Sequence, residues 1–133
     1  NTLDAFSEID EKIKTLVHDC YMLHPVNLIR HLENDFMHPH TDDHKDNEQA
    51  NERKTYSRYG IVVYYNDDYE GGEIEFRHSG IKFKPKAGSV LFFPSNFLYV
   101  HEVYPVTKGP RYALPNWYHN IPFNEKRNST GDE

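Results

Sequence analysis

The second half of the chain is a succession of short segments rich in aromatic and β-branched residues, separated by clusters of glycine, proline, asparagine and aspartate. Such segments favour strands, and the clusters between them favour turns. The predicted strands are residues 59–65, 73–77, 81–84, 89–93, 98–104 and 111–119. Short strands at this spacing are typical of an all-β sandwich or barrel. A chain of 133 residues has room for one such core and is too short for two.

The first part of the chain has a helical pattern instead. Apolar side chains recur on one stripe within residues 1–20, at Ile9, Ile13, Leu16, Val17 and Cys20. Ser7 is a candidate N-cap for this helix. Residues 28–37 are predicted to form a strand that ends near Pro39, and residues 41–58 a long polar loop. We therefore expect an all-β core with a flanking N-terminal helix.

The predicted organisation is a single domain over residues 1–133. Residues 1–24 are expected to give helical support, residues 28–119 to form the core, and residues 124–133 to form a frayed polar tail. A long polar loop in so small a domain is usually functional or mobile, so residues 41–58 are a candidate lid.

The composition of the chain limits which binding partners and which cellular location we expect. A net charge of −6 with neutral histidines is a poor match for nucleic acid. No apolar run approaches the roughly 20 residues of a membrane span, so no membrane partner is expected. The single cysteine, Cys20, excludes an internal disulfide framework and cysteine-rich metal sites. The low cysteine content and the absence of a signal-peptide pattern predict a cytoplasmic location. This expectation concerns only the given sequence, which starts at Asn1.

Three short motifs could place an imidazole and a carboxylate side by side, because residues two apart on a strand face the same way. They are His40-Thr41-Asp42, His44-Lys45-Asp46 and His31-Leu32-Glu33. With a second imidazole from a distant strand, such a pair forms the two-His-one-carboxylate face of non-haem Fe(II) oxygenases. The first motif directly follows an apolar segment, whereas the second lies wholly within the polar loop and the third lies in the middle of a predicted strand. The first is therefore favoured.

Further motifs follow in a fixed order. They are Gly71-Gly72 with Phe76, Pro85 with Gly88 and Phe93, His101-Glu102-Val103, Gly109-Pro110-Arg111-Tyr112, and Trp117. With the preceding His-x-Asp motif, this ordered set resembles the prolyl-hydroxylase-like branch of the Fe(II)- and 2-oxoglutarate-dependent dioxygenases, over nearly two thirds of the chain. The resemblance implies a double-stranded β-helix, which is a cupin-like jelly-roll.

The resemblance also implies roles for four residues. His40, Asp42 and His101 would be the iron ligands. Arg111 would bind the distal carboxylate of 2-oxoglutarate, a task that suits a planar and permanently charged guanidinium. Independently, an arginine among apolar and aromatic residues is costly to bury unless an anion meets it.

Two aromatic residues match the same pattern. Tyr64 would hydrogen-bond to the distal carboxylate, with Tyr65 the alternative if the strand register differs by one residue. Trp117 shares the strand face of Arg111 by parity and would form a wall of the pocket. Pro115 between them could alter that parity through a bulge.

The implied cofactors are Fe(II), 2-oxoglutarate as co-substrate and O2, with ascorbate as an optional addition. The implied reaction couples oxidative decarboxylation of 2-oxoglutarate to hydroxylation of a substrate C–H bond. A prolyl residue of a peptide or protein is the leading substrate, and small molecules remain an alternative. The competing hypothesis is a cupin-like protein that binds a metal or a small acid without oxygenase activity. Arg111 discriminates between them, because a cupin that only binds a metal needs no buried carboxylate clamp.

Overall fold

A computed structural model describes residues 2–22, 27–43 and 57–120, in which one helix is followed by eleven strands. In chain order the elements are α1 (Thr2–Leu16), β1 (Tyr21–Met22), β2 (Ile29–His31), β3 (Met37–His40), β4 (Ser57–Tyr64), β5 (Glu70–Gly71), β6 (Ile74–Phe76), β7 (Ile81–Phe83), β8 (Val90–Pro94), a short 3-10 helix (Phe97–Tyr99), β9 (His101–Val103), β10 (Val106–Lys108) and β11 (Arg111–His119). The predicted combination of an N-terminal helix and a β-rich core is confirmed.

The strands form two larger antiparallel sheets and one short ladder. In the first sheet β1, β11, β4 and β8 lie in that order, and β2 pairs with the same edge of β11 as β1 does. The second sheet has the order β3, β9, β6, β7, and β5 pairs with β10 in the short ladder. Strands that are distant in sequence are therefore neighbours in space.

One hydrophobic cluster lies between α1 and the outer face of the first sheet. Its buried members are Phe6, Ile13, Cys20, Met22, Ile61, Leu114 and Tyr118. The Tyr118 hydroxyl reaches back to α1 and donates a hydrogen bond to Asp10 Oδ1 at 2.9 Å. The helix thus covers one face of the sheet and leaves the other face for the interior of the barrel.

A second cluster fills the space between the two sheets. Ile74 and Phe76 from β6 pack with Phe93 from β8, and the rings of Phe76 and Phe93 meet edge to face at 5.3 Å. Along β4, Ile61 faces the helix, so Gly60, Val62 and Tyr64 face this interior. The interior face of β4 carries part of the candidate site.

The helix starts earlier than the sequence pattern predicts. It spans Thr2–Leu16, so Ser7 lies inside it and is not its N-cap. The buried stripe begins at Phe6, one turn before Ile9, which is why the helix extends toward the N-terminus. The predicted helical support over residues 1–24 is also too long, because Asp19 turns the chain with φ 55 and Tyr21–Met22 pairs with β11.

Two predicted strands are shorter or divided in the structure. Residues 28–37 form β2 and the start of β3, separated by a turn in which Asn34 has φ 74 and Asp35 Oδ2 accepts a hydrogen bond from the Leu32 N–H at 2.7 Å. Residues 98–104 begin in the 3-10 helix, because the Asn96 side chain accepts from the Leu98 N–H. The strand there begins only at His101.

The structure also differs from the sequence-based predictions at the polar loop and at Pro115. Residues 57 and 58, placed in the loop by the sequence pattern, belong to β4, and residues 44–56 lie outside the described part of the chain. Pro115 pairs with Val62 without a bulge, and the register of β11 shifts only between Tyr118 and His119. The parity between Arg111 and Trp117 is therefore kept.

None of the described helices has the length and apolar character needed to cross a bilayer.

Candidate active site

Two histidines and one aspartate converge at the junction of β3 and β9. His40 at the end of β3 lies directly across from His101 at the start of β9. Asp42 follows two residues after His40, and its Oδ1 is 3.4 Å from His40 Nε2 and 3.5 Å from His101 Nε2. The three donor atoms lie within 4.8 Å of one another. The structure thus brings together the three residues that the sequence motifs single out.

Backbone carbonyls fix the orientation of both imidazoles. His40 Nδ1 donates to the His38 carbonyl at 2.7 Å, and His101 Nδ1 donates to the Tyr99 carbonyl at 2.9 Å. A carbonyl can only accept, so Nδ1 carries the proton in each neutral ring and the Nε2 lone pair faces Asp42. Two imidazole lone pairs and a carboxylate directed at one point form a donor set suited to a divalent cation.

The electrostatics favour an ionised carboxylate. Burial raises the pKa of Asp42, but the protonated form of His40, which can donate to the carboxylate, together with the charges of both histidines and the Trp117 side chain more than offsets this and holds the pKa below its usual value. The hydrogen bond with Asp42 raises the pKa of His40, whereas burial lowers the pKa of His101. Asp42 is therefore the anionic member of the triad.

Gly60, which the sequence analysis did not identify, makes room for this carboxylate. A Cβ atom on Gly60 would lie 2.6 Å from Asp42 Oδ2 and 2.7 Å from Phe93 Cζ. Trp117 is the cross-strand partner of Gly60 on β11, and its side chain is near enough to Asp42 to help lower the pKa of that carboxyl. Both residues therefore lie at the Asp42 end of the interior.

Replacing Gly60 by alanine should lower the affinity for a divalent metal by about 10-fold or more, in the range seen when the surroundings of ligating residues are altered. The new methyl group would clash with the Asp42 carboxylate and with the Phe93 ring, so the carboxylate is displaced from its position between the two imidazoles. Titration with Mn(II) followed by calorimetry measures the change. Gly88→Ala is the matched control, because Gly88 has φ +76 but nothing within 4 Å of its Cβ position. Equal metal affinity in the Gly60→Ala and unmodified proteins would contradict this account.

At the other end of the interior, Arg111 is a buried cation without an acidic partner among the residues that the structure describes. Arg111 is 3% exposed, and its NH1 group donates to His31 Nδ1 at 3.3 Å. Its Nε atom has no hydrogen-bond partner, and its guanidinium lies 5.4 Å from the ring centroid of Tyr64. A buried charge of this kind is costly unless a counter-ion meets it. Arg111 is therefore suited to an anionic ligand.

Tyr64, and not Tyr65, lies beside this guanidinium. Tyr64 is 1% exposed and Tyr65 is 71% exposed. Burial raises the pKa of Tyr64 to about 12 against the opposing charge of Arg111, so the hydroxyl keeps its proton. Within the described residues this hydroxyl makes no hydrogen bond of ordinary geometry. It is a donor available to an anion at Arg111.

Of the other two motifs the structure describes only His31-Leu32-Glu33, which is not part of the triad. His31 is buried against Arg111, whereas Glu33 is exposed. Burial first, and the charge of Arg111 second, lower the pKa of His31, which keeps the ring neutral and able to accept from the guanidinium. The sequence analysis missed this contact, which depends on pairing between β2 and β11. The motif at residues 44–46 lies outside the described part.

Comparison with known protein families identifies a relationship over most of the core. The family profile of the 2OG-Fe(II) oxygenase superfamily matches residues 26–119. Prolyl 3-hydroxylase 2 of Homo sapiens is 31% identical over 139 residues, which cover 85% of this chain and 20% of that protein. A PKHD-type hydroxylase of Synechococcus is 31% identical over 84 residues, which cover 62% of this chain and 37% of that protein. The chain thus spans about a fifth of the length of the prolyl 3-hydroxylase.

Solved structures confirm the predicted double-stranded β-helix. A viral collagen prolyl hydroxylase from Paramecium Bursaria Chlorella virus-1 superposes with a TM-score of 0.69 at 19% identity, covering 90% of this chain and 71% of that one. A prolyl-4-hydroxylase of Pseudomonas putida superposes with a TM-score of 0.64 at 22% identity, covering 90% of this chain and 64% of that one. At these identities the likeness concerns the fold.

Proposed function

Because the chain belongs to the 2OG-Fe(II) oxygenase superfamily, we propose that it is an Fe(II)- and 2-oxoglutarate-dependent dioxygenase that hydroxylates a prolyl residue of a peptide or protein. The observation that carries the proposal is the pairing of a two-His-one-Asp cluster with a buried arginine that has no acidic partner in the described part of the chain. A protein that only bound a metal would have no use for this second feature.

The interior face of the β4–β11 strand pair extends from the metal-binding cluster to Arg111. Trp117 pairs with Gly60 at the metal end, and Ala113 pairs with Tyr64 at the arginine end. Four residues of strand separate Gly60 from Tyr64, which is about 13 Å between Cα atoms. The charges of Arg111 and Asp42 both act on the Tyr64 hydroxyl, so this hydroxyl is within electrostatic reach of both. This arrangement fits a short ligand that reaches from a metal to the guanidinium.

We assign the residues on that basis. His40, Asp42 and His101 would hold Fe(II) on one face and leave the remaining positions open. Arg111 would bind the distal carboxylate of 2-oxoglutarate, and the Tyr64 hydroxyl would donate to the same group. When bound, Fe(II) with 2-oxoglutarate and O2 supplies the oxidative chemistry, in which the co-substrate becomes succinate and CO2 while a substrate C–H becomes C–OH.

The chain itself orients the ligands and excludes water. The two carbonyl acceptors keep each imidazole in one orientation, and the Trp117 side chain helps to keep Asp42 ionised. The rings of Phe93 and Phe76 lie 4.9 Å and 5.5 Å from the His101 ring. They shield that side of the triad from solvent.

The proposed substrate rests on the relatives. The curated relatives include prolyl 3-hydroxylases, and the structural neighbours include a collagen prolyl hydroxylase and a prolyl-4-hydroxylase. The net charge of −6 speaks against nucleic acid as an alternative polymer substrate. Ascorbate as an additional cofactor, the cytoplasmic location and the lid at residues 41–58 stay predictions of the sequence.

Succinate release from 2-oxoglutarate under Fe(II) tests the proposal. We expect faster release with proline-rich peptides than with the same peptides in which alanine replaces proline, and a gain of one oxygen atom on a prolyl residue by mass spectrometry. Turnover that no peptide stimulates would contradict the peptide substrate. Absence of 2-oxoglutarate turnover under every condition would contradict the enzyme class.

A further inference from the structure

Tyr69 carries a second buried hydroxyl beside Arg111 that the assignments above do not use. The residue precedes β5 and is 2% exposed. Its hydroxyl oxygen is shielded from solvent and makes no hydrogen bond of ordinary geometry within residues 2–22, 27–43 and 57–120. Arg111 interacts with this hydroxyl but can only donate to it, so the hydroxyl hydrogen has no acceptor among the described residues and is available to a bound anion.

The surroundings of Tyr69 hold its ring against the arginine. The Lys84 ammonium hydrogen-bonds to the Tyr69 carbonyl and lies 4.6 Å from the centroid of the Tyr69 ring. On the other side is Gly72, with φ +66, where a Cβ atom would lie 3.0 Å from both Arg111 Cδ and Tyr69 Cε2. The absence of a side chain at Gly72 lets the ring edge and the arginine stem approach each other.

The hydroxyl is a donor at neutral pH. Burial raises the pKa of Tyr69, and the positive charge of Arg111 opposes this rise only in part. Tyr69 also influences the Tyr64 hydroxyl, on which Arg111 acts as well. Two protonated hydroxyls and a guanidinium thus surround one position, and each lacks an anionic partner within the described residues.

A single carboxylate could accept hydrogen bonds from the Tyr64 hydroxyl, the Tyr69 hydroxyl and the Arg111 guanidinium. An ionised carboxylate has about four acceptor sites. A guanidinium can occupy two of them in a bidentate contact, and the two tyrosines would occupy the remaining two. His31 already takes one N–H of Arg111, which fixes the guanidinium and leaves its other N–H groups for the ligand.

We propose that the Tyr69 hydroxyl donates a hydrogen bond to the distal carboxylate of 2-oxoglutarate alongside Arg111 and Tyr64, an inference that rests on the co-substrate assigned above. Tyr69 is then a binding residue for the co-substrate and not only part of the core. The two tyrosines and the arginine together select a ligand that ends in a carboxylate.

The Tyr69→Phe variant tests this by removing one oxygen atom. Binding is measured by calorimetry with Mn(II) in place of iron, without O2, so that no turnover occurs. We expect the dissociation constant for 2-oxoglutarate to rise about 10-fold, as for loss of a hydrogen bond to a charged group. The affinity for 2-oxopentanoate, which has a methyl group in place of the distal carboxylate, should not change. Tyr112→Phe is the matched control, because Tyr112 is adjacent to Arg111 but packs against the exposed Tyr65.

The outcomes separate this inference from the proposed function. Equal affinity of Tyr69→Phe and the unmodified protein for 2-oxoglutarate would overturn the role of Tyr69 alone. An equal loss for both ligands would also overturn it, because it would show an effect on pocket shape. Retained Mn(II) affinity shows that the variant is folded. Failure of the unmodified protein to bind 2-oxoglutarate would overturn the proposed function as well.

Discussion

Replacing Arg111 by alanine should weaken 2-oxoglutarate binding by about 2–5 kcal/mol, roughly 30- to 4,000-fold, because one member of a buried charge pair is lost. The variant leaves the ligand carboxylate buried without its cation. Metal binding should stay intact, because the Arg111 side chain is not part of the His40, Asp42 and His101 cluster. Calorimetric titration of the metal-loaded protein, together with the apparent KM for 2-oxoglutarate, measures both effects.

Two further variants sharpen this test. Arg111→Lys keeps the charge but not the planar fork, so its affinity should fall between those of the alanine variant and the unmodified protein. Arg77→Ala is the control, because Arg77 is largely exposed and pairs with Glu102 at 3.0 Å. An apparent KM that is unchanged in Arg111→Ala would refute the assignment of this residue.

Replacing Asp42 by alanine should abolish 2-oxoglutarate turnover. Asp42 supplies the carboxylate of the triad and lies within 3.5 Å of the Nε2 atoms of both histidines. Loss of a ligating residue should reduce metal affinity beyond the roughly 10- to 100-fold that loss of an outer partner costs. Mn(II) titration and succinate release report metal binding and turnover separately.

Neighbouring carboxylates provide the controls for this variant. Asp43→Ala should bind metal normally, because Asp43 is exposed and is not part of the cluster. Asp46→Ala should leave turnover largely intact, although Asp46 lies outside the described residues. If Asp46→Ala abolished turnover and Asp42→Ala did not, the wrong His-x-Asp motif would have been chosen.

The family resemblance implied the roles of the site residues, and local periodicity predicted which of them share a strand face. Alternation along β4 places Val62 and Tyr64 on one face, and the structure buries Tyr64 while Tyr65 is exposed. The same alternation along β11 relates Arg111 to Trp117, and Pro115 does not disturb it. Spacing within one strand is a local property, so a single sequence is enough to predict it.

Features that depend on pairing between distant strands could not be predicted in this way. His31 accepts from Arg111 because β2 pairs with β11, and no local pattern near His31 indicates that pairing. Gly60 has no distinctive sequence signal either, since its role depends on Asp42 approaching from another sheet. The division of residues 28–37 was a different kind of error. Asn34-Asp35 is a local turn signal that the prediction of one strand over residues 28–37 did not take into account.

The triad joins parts of the chain that are far apart in sequence. His40 ends β3 and His101 begins β9, and the two meet only through cross-strand pairing. An ion that requires all three donors therefore recognises the closed barrel and not an unfolded chain, so its binding free energy adds to the stability of the whole domain. At a free concentration 100 times the dissociation constant, this coupling is worth about 2.7 kcal/mol. Metal supply would then govern how well the polypeptide resists proteolysis as well as whether it is active.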